Sequence, residues 1–391
     1  MKKIVFVIKN LSIGGSRKSL VNLMNSLDKT EFDIYLLLFS HKGEYLNQLN
    51  SNIKLLPENN ILKAITGDYT KKNTLLTIYY KIIKIAFSIS RRTIGYPKTC
   101  AIFLKTALSK INRKNSFDVA IGYQEGISND LSYYLKSKKH YYWIHSNYDK
   151  FSKTNRGLSK TYKTATYIIF VSEYSKAVFK KFIPEVAENK LIVIKNLVPD
   201  KEIIDMSNKD DDVKHLFSDN TYTYIVSVGR LSKEKGFDKI PEISEYLVKK
   251  STRFKWFIVG DGLEKELIEK KIISYNLCEH IFMLGSQQNP YKFMKHADFI
   301  VITSDYEAQP LVVIESLIMG KYVVSTEFDS LKEFDDYAKD RIFVTNHTSQ
   351  NIAEVILKLT TSFNLLKSFE YNYNSEQIIY QFVALIQESG G

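Results

Sequence analysis

The sequence predicts an α/β protein made of two doubly wound domains, and three observations lead there. Short apolar, β-branched bursts recur along the chain, each followed by a turn and then by helical periodicity, as buried parallel strands with crossover helices require. The alternation runs through one series, lapses over a polar stretch from Ser207 to Asn220, and starts afresh. At 391 residues the chain also exceeds the roughly 250–300 that one hydrophobic core organises.

The first series comprises Ile4–Ile8, Ile34–Phe39, Val119–Gly122, Tyr141–Ile144, Tyr167–Val171 and Leu191–Ile194. Gly14-Gly15 follows the first burst and precedes Ser16-Arg17-Lys18-Ser19-Leu20, a helix start with a serine cap. The second series is Tyr224–Val228, Lys255–Val259, Ile281–Leu284, Phe299–Thr303, Lys321–Ser325 and Ile342–Val344. The boundary is placed near Pro199, giving domains over 1–198 and 199–369, with a terminal helix over about 370–391 packing back on the first. In doubly wound sheets ligands sit beyond the carboxyl ends of the strands, so a functional site is expected at those ends.

Composition sets limits. Apolar residues make up 44% and charged residues 25%, with 16 Gly and 7 Pro, the balance of a packed chain and not of a disordered or fibrous one. No solenoid repeat or low-complexity tract interrupts it. Cys100 and Cys278 stand far apart with no CxxC or Cys/His grouping, which argues against a disulfide framework or structural zinc and fits a reducing cytosol. The opening MKKIVFVIKN holds too few apolar residues for a signal-peptide core, and no uncharged apolar run approaches the ~20 residues of a spanning helix.

The net charge of +12 is local. From Ile61 to Asn115 there are twelve Lys/Arg against one acid, Asp68. Within that segment Leu75–Phe87 has helical apolar spacing, with Lys81 and Lys84 three apart and Arg91-Arg92 behind. A basic amphipathic helix of this kind can lie on an anionic leaflet, each basic residue adding ~1 kcal/mol; a core-facing helix with a solvated basic face is the alternative. No nucleic-acid-binding pattern accompanies the charge.

The stretch Ser304-Asp-Tyr-Glu-Ala-Gln-Pro-Leu-Val-Val-Ile-Glu-Ser-Leu-Ile-Met-Gly320 follows a strand and opens a helix. Pro310 is expected at the first helical position, where its missing N–H costs nothing, with the amides of Leu311 and Val312 pointing out of the helix start. Such an end attracts a diphosphate. Two carboxylates beside it, Glu307 before the helix and Glu315 one turn inside, must then serve other groups: hydroxyls hanging from the distal phosphate, and a ribose.

Glu307 and Glu315, with seven residues between them, resemble the paired-glutamate motif of retaining glycosyltransferase family 4, whose architecture is GT-B: two Rossmann-like doubly wound domains facing a central cleft. Val228-Gly-Arg-Leu-Ser-Lys-Glu-Lys-Gly236 is similar to the family's second hallmark, in which an Arg and a Lys, here Arg230 and Lys235, clamp the donor diphosphate. Phe257-Ile-Val-Gly-Asp-Gly262 and the run from Met283-Leu-Gly285 to Asp298 keep the family's order and spacing. The resemblance is strong over roughly 220–330 and weak in the first half.

It implies a hexosyltransferase with a UDP-sugar donor, in which Gly15, Leu311 and Val312 join Arg230 and Lys235 at the diphosphate. Gly260, Gly262 and Ser286 join Glu315 at the nucleoside, and Glu307 and His145 act on the transferred sugar. Gly14, Gln124 and Glu125 fall on the acceptor side. Gly260-Asp-Gly262, Gly14-Gly15 and His145 also read as two strand-to-helix turns and a core histidine, and Asn196 resembles the family's asparagine turn into the second domain.

Fixed cations and helix amides neutralise a departing diphosphate as a divalent ion would, so metal-independent transfer with no cofactor is expected. Asp210-Asp-Asp212 satisfies an aspartate pattern but reads as a solvated charge run. The expectation is a peripheral enzyme of the cytoplasmic membrane face, passing sugar to a polyprenyl-diphosphate-linked saccharide in capsule, exopolysaccharide or wall-glycan synthesis. A silent GT-B partner subunit, a GT-B nucleotide-sugar epimerase and a nucleic-acid binder are the rivals.

Overall fold

The structure, a computed structural model, describes residues 1–67, 74–146, 159–209, 212–334, 338, 340–361, 371 and 373–388. Asp68, Lys71 and Lys72 of the basic segment, Asp210 and Asp211 of the aspartate run, and 370, 372 and 389–391 of the expected terminal helix lie outside the described residues. The chain forms two units, Met1–Leu197 with Glu376–Gly391, and Val198–Ser375.

The first unit has seven parallel strands in the order β3-β2-β1-β4-β5-β6-β7: β1 (Lys2–Ile8), β2 (Phe32–Leu38), β3 (Lys54–Leu55), β4 (Phe117–Gly122), β5 (Ser137–Ile144), β6 (Tyr167–Phe170) and β7 (Leu191–Val193). Ile4 to Ile8 are fully buried, which is why the central strand is an unbroken apolar run. The edge strand β3, absent from the sequence expectation, is two exposed residues with no burial pattern to betray it. Helices α1 (Gly15–Ser26), α2 (Asn60–Thr66), α3 (Thr74–Thr93), α4 (Tyr96–Lys114), α5 (Ile127–Tyr133), α6 (Ser159–Lys163) and α7 (Glu173–Phe182) link them. Gly14, and not a serine, caps α1; its carbonyl accepts from the Arg17 and Lys18 amides. The Asn59 side chain caps α2 by accepting from the amides of Ile61 and Leu62, and Gly67 ends that helix at φ 74°.

Helix α3 is held on one face. Tyr80 donates its hydroxyl to Asn60 Oδ1 at 3.0 Å, Phe87 meets Phe103 edge-on at 5.3 Å, and the Ser90 and Thr99 hydroxyls are 2.9 Å apart.

The terminal helix Ser375–Glu388 returns to this first unit. Phe382 is fully buried between the rings of Phe6 (6.1 Å) and Trp143 (5.9 Å). Lys2 Nζ donates to the Ile386 carbonyl at 2.8 Å, a cation on the negative end of the helix, and the Tyr141 hydroxyl donates to the Leu385 carbonyl.

The second unit has six parallel strands in the order β10-β9-β8-β11-β12-β13: β8 (Thr223–Val228), β9 (Phe254–Val259), β10 (Ile281–Gly285), β11 (Phe299–Ile302), β12 (Tyr322–Thr326) and β13 (Ile342–Thr345). Alternate residues feed two cores: Phe257 and Ile300 meet Tyr291, Val313 and Ile314 on one face, while Trp256 and Ile258 meet Leu247, Ile268 and Ile356 on the other. The stretch expected to be merely polar contributes Val213 and Phe217 to the first core, because a 3-10 turn at Lys214–Phe217 turns those residues inward.

Both sheets wind outward from a central strand in two directions. The strand order reverses between β1 and β4 in one unit and between β8 and β11 in the other. Loops diverge at such points and leave space for a ligand.

Candidate functional site

In the second unit the two loops flanking the reversal carry the charged residues singled out in the sequence. After β8 the chain passes Gly229 and Arg230 into a 3-10 turn at Lys233–Lys235. After β11 it passes Ser304 to Glu307 into helix α12 (Leu311–Ile318). Hydrogen bonds and an ion pair lash the loops together. The Asp305 amide donates to the Glu234 carbonyl at 2.9 Å, the Thr303 hydroxyl donates to the Lys235 carbonyl at 2.8 Å, and Lys239 Nζ pairs with Asp305 at 2.8 Å.

That lashing brings together Lys235 and Glu307, 72 residues apart: Lys235 Nζ donates to Glu307 Oε1, which also accepts from Ser304 Oγ at 2.9 Å. The Glu307 carbonyl accepts from buried Ser330 at 2.9 Å, so the loop is pinned from the β12 side as well. The Lys235 and Glu307 side chains keep 28% and 16% of their exposure, enough to be approached from solvent. Arg230 is exposed and near enough to Glu234 for its charge to act on that carboxyl.

Pro310 occupies the cap and not the first helical position: its ψ of 89° is not helical. Its carbonyl accepts from the amides of Val313 and Ile314, leaving those of Leu311 and Val312 outside the helix ladder. The helix therefore begins one residue later than the sequence suggested, with the same two amides at its open end. Glu315 is only 7% exposed, and its Oε1 accepts from the buried Tyr291 hydroxyl at 2.8 Å. Tyr291 stands at the start of helix α11 (Tyr291–His296), and no periodicity links it to a glutamate 24 positions on.

Gly260 and Gly262 are glycines for a steric reason. A Cβ on Gly260, whose φ is 153°, would lie 1.8 Å from the Gly229 carbonyl oxygen, and one on Gly262 would lie 2.2 Å from that of Leu231. The turn after β9 thus presses on the backbone that presents Arg230. Ser286 is exposed just beyond β10. Asp212, the described member of the aspartate run, pairs with Lys292 Nζ at 2.7 Å.

In the first unit the analogous strand ends gather Gly14, Gly15, Gln124, Glu125 and His145. Gly14 and Gly15 form the cap and first turn of α1. Glu125 is committed to its own neighbourhood: one oxygen accepts from the His145 amide at 2.9 Å, the other from Ser146 Oγ at 2.7 Å, which fixes the exit of β5. The Gln124 side-chain oxygen is buried with no hydrogen-bond partner among the described residues. The His145 ring stacks on Trp143 (5.9 Å, 11°) and lies 4.7 Å from the Tyr123 ring. Its nitrogens are buried, and burial pushes its pKa down to about 3 against the Asn196 side chain and Tyr123 backbone, which oppose the shift. His145 is therefore neutral at physiological pH.

Lys9, at the end of β1, escaped the sequence reading: burial, with the nearby Arg17 charge, lowers its pKa, and Glu125 opposes this. Asn196 is buried, and the next amide, Leu197 N, donates to Ser19 Oγ at 2.9 Å.

Residues 208–375 match the family profile described as glycosyl transferases group 1, and the chain carries that domain in a GT-B fold. An uncharacterised glycosyltransferase of Methanocaldococcus jannaschii is 29% identical over 168 residues, 42% of this chain and 41% of its own length. The N-acetylgalactosamine-N,N'-diacetylbacillosaminyl-diphospho-undecaprenol 4-alpha-N-acetylgalactosaminyltransferase of Campylobacter jejuni is 36% identical over 107 residues, 27% of this chain and 28% of its own. The matched part thus spans less than half of either relative. The structure of Anabaena HepE in complex with UDP and glucose superposes with a TM-score of 0.71 over 99% of this chain and 100% of that one, at 16% identity.

Proposed function

We propose that the protein is a retaining, metal-independent hexosyltransferase that moves a sugar from a UDP-sugar to a lipid-linked saccharide at the cytoplasmic membrane face, in bacterial surface polysaccharide synthesis. The observation that carries this is the grouping around the β8/β11 reversal. An exposed guanidinium at Arg230, a Lys235–Glu307 pair and two open amides at Leu311 and Val312 stand on loops bonded to each other.

In this mechanism Arg230, Lys235 and the two amides receive the diphosphate and hold the charge that accumulates on it as the glycosidic bond lengthens. Lys235 moves toward phosphate, which releases Glu307 to face the sugar and stabilise the positive charge developing on its ring. The acceptor hydroxyl enters on the face the diphosphate leaves and gives its proton to a diphosphate oxygen, so no separate base is needed. Glu315, oriented by Tyr291, accepts the ribose hydroxyls, with Gly260, Gly262 and Ser286 around the nucleoside. Neutral His145 donates a hydrogen bond to a sugar hydroxyl without adding charge, and Gly15 supplies a backbone donor to phosphate.

UDP is supported by its presence in the HepE structure, and the lipid-linked acceptor by the diphospho-undecaprenol in the Campylobacter enzyme's name. The exposed cations Lys81, Lys84, Arg91 and Arg92 support an anionic membrane surface as partner. A thermal-shift panel of nucleotide-sugars, followed by mass spectrometry of products with lipid-linked acceptors, tests the proposal. A UDP-sugar should raise the melting temperature, and a chelator should leave transfer unchanged. No stabilisation by any nucleotide-sugar would sink the donor assignment, and loss of transfer on chelation would sink the metal-free course.

A further inference from the structure

Helix α3 wears its apolar stripe outward. Leu75, Ile78, Ile82, Ile85 and Ile89 are 81%, 48%, 60%, 58% and 56% exposed. At 100° per residue these five fall within about 80° of arc, one continuous ridge on a helix roughly 30 Å long. The opposite face is already taken by Tyr80, Phe87 and Ser90, so the ridge is not waiting to fold inward. Isolated exposed aliphatics are ordinary, but five in register on one helix are not.

Charge identifies what covers the ridge. From Thr74 to Lys114 the chain carries nine Lys/Arg and no Asp or Glu. Lys81 and Arg92 lie on the flank of the stripe within about 40° of its edge, whereas Lys84 and Arg91 lie about 100° or more from it, on the side of Tyr80 and Phe87, with Arg91 over the Tyr96 ring at 5.2 Å. A second copy of this helix laid on the first would bring like charges together around the apolar contact. An anionic lipid leaflet offers acyl chains for the ridge and phosphates for its flank in one surface.

Deepening the membrane-surface reading above and resting on it, we infer that α3 is a monolayer-inserting helix: the isoleucine ridge sinks into the acyl boundary while the flanking cations engage anionic headgroups. The basic residues alone would give adsorption that salt abolishes; the ridge adds a component that salt does not remove.

Flotation of the full chain with phosphatidylglycerol/phosphatidylethanolamine vesicles, at low and at about 1 M salt, tests this. The wild type should float at low salt and retain a measurable fraction at high salt. Ile78→Ser/Ile82→Ser/Ile85→Ser should lose the salt-resistant fraction, with partition weakened on the order of 100-fold. Lys81→Gln/Arg92→Gln, which removes the two cations beside the ridge, should lose mainly the low-salt binding. Ile82→Trp supplies a local probe, because Trp143 and Trp256, the two native tryptophans, are fully buried; its emission should shift to the blue when vesicles are added.

Equal flotation of the serine variant and wild type, an unshifted indole, or a dimer that the serine substitutions dissolve would each overturn the inference. The nucleotide-sugar thermal shift, run on the same variants, separates the claims. Stabilisation without vesicle binding removes insertion and keeps donor binding, while ridge-dependent vesicle binding without stabilisation does the reverse.

Discussion

Glu307→Gln separates charge from shape at the centre of the site. Glutamine keeps the length of the side chain and can still accept from Ser304 Oγ, 2.9 Å from Oε1 in the native arrangement, but it cannot balance a cation. A unit charge about 4 Å from positive charge developing on the sugar ring is worth ~4 kcal/mol at an effective dielectric near 20, or about a thousandfold in rate. The pairing with Lys235 halves neither figure if the donor diphosphate draws the ammonium away, and cancels most of it if the ammonium stays. Stability should hardly change, because both side chains are partly exposed and such pairs contribute ~1 kcal/mol or less, a melting shift of about 2–4 °C. The assay is kcat for transfer from the donor that the thermal-shift panel selects, together with the melting temperature of the same preparations. A kcat within tenfold of wild type would refute the assignment. A large loss of kcat that Lys235→Met shares in full, with no further loss in the double variant, would show that the two act as one unit.

Four further outcomes follow from neighbouring geometry. Arg230→Ala should weaken donor binding and turnover at a nearly unchanged melting temperature, since the exposed guanidinium gives up only a solvent-screened attraction to Glu234; calorimetric titration of donor reads the first and unaltered affinity would oppose its role. Tyr291→Phe removes the 2.8 Å donor to Glu315, worth ~1.5–3 kcal/mol when the acceptor is charged, so donor Kd should rise by about tenfold or more while kcat moves less. Gly260→Ala should cost ~3 kcal/mol or more in urea unfolding, because its methyl would collide with the Gly229 carbonyl; a stable, active alanine variant would contradict the packing. His145 has a native pKa near 3 against an ordinary value of ~6.5, so the unfolded chain binds more protons between those limits. Its contribution to stability then falls as pH drops below ~6.5, by about 2 kcal/mol from pH 7 to 5, and His145→Gln should flatten that part of the curve.

Much of this was legible because apolar runs, glycines and proline act locally. Burial of Ile4–Ile8 and of Ile225 and Val226 follows from uninterrupted apolar sequence, and the restart of the alternation after the polar stretch marked the second sheet. Charged loops at strand ends were visible as residue types in order. Partnerships were not. Nothing in a linear pattern joins Lys235 to Glu307 or Tyr291 to Glu315, because the strand order that makes them neighbours is a property of the sheet. Glu125 appeared as a strand-end carboxylate open to an acceptor, yet both its oxygens serve the exit of β5.

Helix α3 shows the same division in a single element. Its periodicity announces two faces, one of them apolar, but cannot say beneath which face protein lies. Here the answer depends on Tyr80, Phe87 and Ser90, of which the tyrosine and the serine are more polar than the isoleucines and poorer candidates for the inner face on hydrophobicity alone. Their hydroxyls and rings find fixed partners on α2 and α4, and that choice turns the more apolar ridge outward. Leaving five aliphatic side chains in water gives up stability that a buried orientation would have kept. A surface that supplies an apolar medium bounded by negative charge recovers it, which is why this arrangement argues for a leaflet more strongly than the count of lysines and arginines does.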